Sequence, residues 1–197
     1  MADIDLTWDA PAPDAVVDRF LDVAAHEATV VVGAADAPFG RLWVAVTERG
    51  VVRVSYDSYD ETLEDLASRV SPRIVEHAGR TGEVRRELDE FFAGRRRSFG
   101  VGLDWSLVRT EFQRRVLTAT AAIPYGARRT YGDVAAAAGN ERAVRAAGSA
   151  LGANPLCIVV PCHRVLPRSG GAGGYAGGTA AKEWLLAREA DSRTLPA

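Results

Sequence analysis

Lysine is nearly absent: one residue, Lys182, among 24 basic side chains in 197 residues. Cysteine is scarce too. Cys157 and Cys162 are the only two, five positions apart, and a disulfide framework needs more cysteines, more widely spread. With His26, His77 and His163 they do not cluster as the four ligands of a structural zinc. The expected chemistry is therefore metal-free and cofactor-free. No apolar run approaches the ~20 residues of a spanning helix, so no membrane partner is expected. The first nine residues carry acids and no basic segment, unlike a secretory signal, and the expectation is a cytoplasmic protein. Internal repeats are lacking, and only residues 170–178 are rich in glycine.

What is present is an ordinary globular mixture, 47% hydrophobic and 25% charged, with a net charge of −2. The charge is unevenly spread. Residues 1–105 hold 12 basic and 20 acidic groups, and residues 106–197 hold 12 basic and 6 acidic groups. Two readings fit. The second half meets a polyanion, or an arginine-rich composition falls this way by chance.

Residues 1–28 read as a peripheral extension, with prolines at 11 and 13 and a short acidic helix over 14–25. Residues 29–33, 41–47 and 51–56 are β-branched or alternating and predict strands. A turn at 36–40 and a tight hairpin at 48–50 join them into a small antiparallel sheet. Helical spacing follows over 61–70 and 83–93, with Gly94 as a stop, and again over 111–122. The chain thus reads as an α/β (α+β) protein. A domain at 29–105 is followed by a mostly helical one at 106–197.

Thr130 and Asp133 have capping-box spacing for a helix from Tyr131 to about Ala138. Gly139 ends it, and Asn140 caps a second helix over 141–151. Val144, Ala147, Gly148 and Leu151 share one face of that helix, predicted to pack inward. Arg142, Arg145, Ala146 and Ser149 share the other, which is small and basic. This is a helix-turn-helix pattern able to approach a duplex, and equally an ordinary helical hairpin with a solvated basic face.

Residues 158–160 are apolar and β-branched and predict a buried extended segment. It leads into Pro161-Cys162-His163-Arg164-Val165. A cysteine beside histidine and arginine sits in an electropositive setting that favours thiolate. Cys157, heading the apolar run, reads as an inert buried thiol.

The segment Pro161–Val165 resembles the active-site signature of the O6-alkylguanine-DNA alkyltransferases, also called methylated-DNA–protein-cysteine methyltransferases. Other segments fit at the family spacing: Asn154-Pro155, Gly174-Tyr175-Ala176-Gly177-Gly178, Lys182-Glu183-Trp184-Leu185-Leu186 and Glu189. Upstream, Phe112-Gln113, Ile123-Pro124-Tyr125-Gly126 and Thr130-Tyr131-Gly132 also fit. The likeness is strong over about 109–189 and looser before it, chiefly through residues 37–42 and the hairpin after them.

The resemblance implies a ribonuclease H-like first domain. It also implies a suicide repair protein that flips O6-alkylguanine out of duplex DNA and transfers the alkyl group irreversibly to Cys162. O4-alkylthymine is a second candidate lesion. By the same resemblance His163 takes the thiol proton through a water, Glu189 orients His163, and Asn154 holds the turn before the active-site segment. Tyr131 donates towards the guanine and crowds the adjacent phosphate. Arg145 fills the vacated stack, approaching from the minor groove. Arg142, Ala146, Gly148 and Ser149 complete the DNA contact. Tyr175, Ala176, Gly177 and Val165 wall the base pocket. Ala176 stands where some relatives have a serine, leaving only its backbone N–H to meet the base. A monomer is expected off DNA.

Overall fold

The computed structural model describes residues 14–191. Residues 1–13 of the expected 1–28 extension lie outside them. Its described part is a helix, α1 (Asp14–Glu27). The strands β1 (Val30–Ala37), β2 (Gly40–Thr47) and β3 (Gly50–Ser55) form two consecutive hairpins. Asp36 and Ala37, expected in a turn, instead pair in the β1–β2 ladder, and Pro38-Phe39 alone make the turn.

A fourth strand corrects the expected all-antiparallel sheet. β4 (Ile74–Glu76) pairs parallel to β1, giving a mixed sheet of order β3-β2-β1-β4. At three residues, just after Pro72, β4 is too short to show an alternating pattern.

Alternation along the strands builds two cores. On one face, Val30, Val32, Ala45 and Val52 meet Leu66 of helix α2 (Tyr59–Arg69), whose start is fixed by a Ser58–Glu61 capping box. On the other, Leu42, Val44, Val51 and Val54 meet Val84, Leu88 and Phe91 of α3 (Gly82–Phe92). That second core continues into the later helices through Val116, Leu117, Val134, Ala147 and Leu185.

Edge strand β3 is covered along its length, as an exposed edge would invite unwanted pairing. At one end Val51 N–H donates to Gly102 O at 2.8 Å. Gly50 must be glycine there: its φ is +128°, and a Cβ would lie 2.2 Å from Gly102 O. At the other end Val54 N–H donates to Pro155 O at 2.8 Å, and Cys157 N–H donates back to Val54 O at 3.1 Å. The cysteine segment is thereby stitched to the sheet of the first half.

The second half contains α4 (Glu111–Ala121), α5 (Tyr131–Ala137), α6 (Val144–Gly152) and α7 (Gly178–Asp191). Two-residue strands β5 (Arg129–Thr130) and β6 (Val165–Leu166) pair in parallel. The Thr130–Asp133 capping box forms as expected. The second helix of the pair begins later than expected. Asn140 Oδ1 accepts from Arg142 N–H at 3.2 Å, and Asn140 O accepts from Ala143 N–H at 3.0 Å. That local turn uses up residues 140–143 before α6 starts. Val144, expected inside, is 40% exposed, while Ala147, Ala150 and Leu151 carry the buried face.

Candidate active site

The segment after α6 is built around Asn154. Its Oδ1 accepts from Leu156 N–H at 3.0 Å, and its Nδ2 donates to Val160 O at 3.0 Å and to Cys162 Sγ at 3.2 Å. One buried side chain thus fixes the turn and touches the thiol. Residues 158–160 are buried but not extended. Val160 N–H donates to Leu156 O at 2.8 Å, folding the chain back, and Ile158 takes a φ of +73°. No other non-glycine residue among those described has a left-handed backbone. For a β-branched side chain that conformation costs about 1–3 kcal/mol, and complete burial of Ile158 holds it in place. Pro161 then leads into a 3-10 turn, Cys162–Arg164.

Behind the cysteine lies a buried charge cluster. His163 and Glu189 are both fully buried. His163 Nε2–H donates to Glu189 Oε1 at 2.9 Å, while His163 Nδ1 is buried with no protein partner. Glu189 also accepts from Arg164 Nε at 2.9 Å, Arg128 Nη1 at 3.0 Å and Gly126 N–H at 3.0 Å. Burial alone would raise this carboxyl. The bond to His163, its charge and the Arg164 guanidinium win, and hold Glu189 down at about 2. His163 is pushed below the usual imidazole value, chiefly by burial, against the pull of Glu189. At neutral pH the pair is a neutral imidazole on a carboxylate, with the Nδ1 lone pair free.

The Cys162 thiol is held below its ordinary value. The first cause is a hydrogen bond from Cys157; burial opposes it, and Asn154 and the Lys182 charge assist. Cys157 is correspondingly raised and stays a thiol. Lys182 is buried, and its Nζ donates to Val165 O at 2.9 Å and Gly174 O at 3.4 Å.

Cys162 opens into a cavity of about 330 Å³ lined by Tyr131, Gly148, Leu151, Tyr175 and Ala176. Beside it runs a wider groove of about 750 Å³, bordered by Tyr131, Arg142, Val144 and Arg168. Tyr131 belongs to both and stands between groove and thiol. Arg142, Arg145, Ala146 and Ser149 all lie exposed on the outer side of the helix pair. Among the described residues no three His, Cys, Asp or Glu side chains group as a metal site. No described helix is long and apolar enough to cross a membrane.

Two family models match the chain. The model for the 6-O-methylguanine DNA methyltransferase ribonuclease-like domain covers residues 30–105, and that for the DNA-binding domain of the same family covers 111–191. The methylated-DNA–protein-cysteine methyltransferase of Methanosarcina acetivorans is 40% identical over 154 residues, covering 78% of this chain and 94% of that protein. The chain belongs to the 6-O-methylguanine DNA methyltransferase family. The methylated-DNA–protein-cysteine methyltransferase of Mycobacterium leprae is 42% identical over 154 residues, 78% of this chain and 88% of that protein. Among solved structures, the Mycobacterium tuberculosis O6-methylguanine methyltransferase superposes with a TM-score of 0.73 at 35% identity, covering 85% of this chain and 96% of that one. The same organism's protein in complex with DNA superposes with a TM-score of 0.71 at 35% identity, over 82% and 93% of the two chains.

In this methyltransferase-family site the expected residues mostly converge. Asn154 bonds Cys162 and, one residue on in the chain, His163 bonds Glu189, two adjacent hydrogen-bonded pairs, and Tyr131, Tyr175 and Ala176 line the cavity that Cys162 opens into. Val165 and Gly177 do not line that cavity. Val165 is fully buried with its carbonyl bound by Lys182, and Gly177 packs against the ring of Tyr56. Cys157, Lys182 and Arg128 were given no part in the chemistry from sequence, and Arg164, expected beside the thiol, instead bonds Glu189 together with Arg128. Lys182 carried a signal, as the one lysine in a chain that otherwise uses arginine. An ammonium fits a buried spot with two carbonyls better than a guanidinium fork does.

Proposed function

We propose that the protein is a methylated-DNA–protein-cysteine methyltransferase that removes the alkyl group from O6 of guanine in duplex DNA and keeps it on Cys162. The observation that carries this reading is the buried thiol that lines the cavity, bonded to Asn154, with the fully buried His163–Glu189 pair next to it in the chain. The depressed thiol gives up its proton more readily than an ordinary cysteine. Its proton passes through a water to the free Nδ1 of His163, and Glu189 stabilises the imidazolium that forms. The thiolate then attacks the alkyl carbon. A C–S bond forms as the C–O6 bond breaks, and the electron pair leaves with guanine. Tyr131, between the groove and the thiol, donates to the departing base.

A recessed thiol cannot reach a base inside the stack, so the nucleotide is flipped into the cavity. Arg145, exposed on α6, fills the gap. Arg142, Ala146, Gly148 and Ser149 approach the backbone with small side chains and charge. The thioether has no good leaving group, so each molecule acts once. O4-alkylthymine presents the same kind of alkyl–oxygen bond. We divide the chain at about residue 105 into a scaffold and a DNA-binding, alkyl-accepting domain. Large exposed hydrophobic side chains among the described residues are scattered single valines, in keeping with a monomer off DNA. A DNA substrate and a thiol that must stay reduced fit a cytoplasmic location.

Titrating an O6-methylguanine duplex with protein and counting restored guanine tests this. One guanine restored per molecule, and none by Cys162→Ser, is the expected result. Multiple turnovers, or activity in the serine variant, would refute it.

A further inference from the structure

Tyr175 walls the thiol cavity from an exposed glycine-rich loop that has little of its own to hold a side chain still. Its support comes from the other half of the molecule. Tyr56 follows directly after β3, and its hydroxyl is 2.9 Å from the Tyr175 hydroxyl, 119 residues away in sequence. The two rings meet edge-to-face, with centroids 5.6 Å apart at 72°. Tyr175 in turn stands edge-on to His163, with centroids 6.3 Å apart at 86°. The loop backbone lies flat on Tyr56, because a Cβ on Gly177 would come within 2.5 Å of that ring. Tyr56 is itself braced by Phe39 at 5.9 Å, which packs on Trp184 of α7 at 5.6 Å.

We infer that Tyr56 is a positioning residue for alkyl transfer: through the Tyr56–Tyr175 hydroxyl bond and the Gly177 contact, the first half of the chain sets the wall of the alkyl pocket. The inference rests on the alkyl-transfer reading above and deepens it. It gives the sheet domain a part in catalysis beyond support. Burial keeps both phenols protonated well above their ordinary range, so the bond persists at every working pH. Neither hydroxyl is at the exposed arginine face of α6, so the bond acts on the transfer step and on which alkyl groups fit, not on DNA affinity.

The test is single-turnover alkyl transfer from duplexes carrying O6-methylguanine or O6-benzylguanine. It compares wild type with Tyr56→Phe, Tyr175→Phe and the double variant. Losing one buried neutral hydrogen bond should slow the saturated methyl-transfer rate about threefold to tenfold in Tyr56→Phe. The half-saturating duplex concentration should stay within about twofold, and benzyl transfer should gain relative to methyl as the wall loosens. Because both single variants break the same bond, the double variant should be no slower than the slower single variant. A Tyr56→Phe protein with wild-type rate and selectivity would overturn the inference, as would losses that multiply in the double variant. Melting curves on all four proteins would exclude misfolding, and the phenylalanine keeps the ring on Gly177. If wild type itself fails to take up the alkyl group, the alkyl-transfer reading falls and this inference with it. Normal wild-type transfer with an indifferent Tyr56→Phe overturns the inference alone.

Discussion

Replacing Glu189 by glutamine keeps the size of the side chain and removes one charge. In the native protein each carboxylate oxygen accepts at least two donors: Oε1 takes His163 and Arg164, and Oε2 takes Arg128 and Gly126. Whichever oxygen becomes an amide nitrogen then faces donors with a donor. The carboxyl titrates at about 2 in the folded protein against an ordinary 4.5. That difference corresponds to about 3 kcal/mol of stability at neutral pH. Breaking one side of a buried ion pair costs a similar roughly 3–5 kcal/mol. For a chain of this size the loss lowers Tm by about 6–12 °C.

The pH dependence has a definite sign. A depressed carboxyl stabilises fully above its unfolded value and loses that contribution as pH falls towards its folded value. The gap between wild type and Glu189→Gln should therefore narrow by about 2 kcal/mol between pH 6 and pH 3. Urea unfolding at several pH values measures it. A variant as stable as wild type at pH 7, or a gap constant from pH 6 to 3, would refute the reasoning.

Three more predictions concern the thiol and the DNA face. Asn154→Leu removes a donor to Cys162 and unties the turn, so the transfer rate should fall and its pH profile shift upward, read by single-turnover rates from pH 6 to 9. Cys157→Ala removes the main hydrogen bond that lowers the Cys162 thiol. Thiolate formation, followed by ultraviolet absorbance of the reduced protein, should move to higher pH, and an unmoved curve would show Cys157 to be inert. Arg145→Ala should cut transfer from duplex far more than transfer from free O6-methylguanine base, by roughly tenfold or more, as expected for a residue whose loss costs about 2 kcal/mol of binding; equal losses on both substrates would contradict a DNA-face role.

Much of the site was legible in the sequence because its parts lie in short local motifs. The Thr130–Asp133 box, the Asn154-Pro155 pair and the Pro161–Val165 run each sit within one turn, where spacing dictates geometry. What escaped depends on contacts between distant segments. β4 is three residues long and exists only because β1 offers it an edge. Residues 158–160 look extended by composition, yet Asn154 folds them into a turn that forces Ile158 left-handed. Tyr56 reads as the end of a strand, and nothing nearby in sequence hints that it meets Tyr175. Cys157 reads as core filler because its partner, Cys162, is reached only after that turn closes.

The most direct test of the whole account is intact-protein mass spectrometry with peptide mapping after incubation with a duplex carrying a single O6-methylguanine. The account predicts one added methylene per molecule, located on Cys162 and saturating there. An unmodified protein that still binds the lesion, or a methyl group on any other residue, would contradict it.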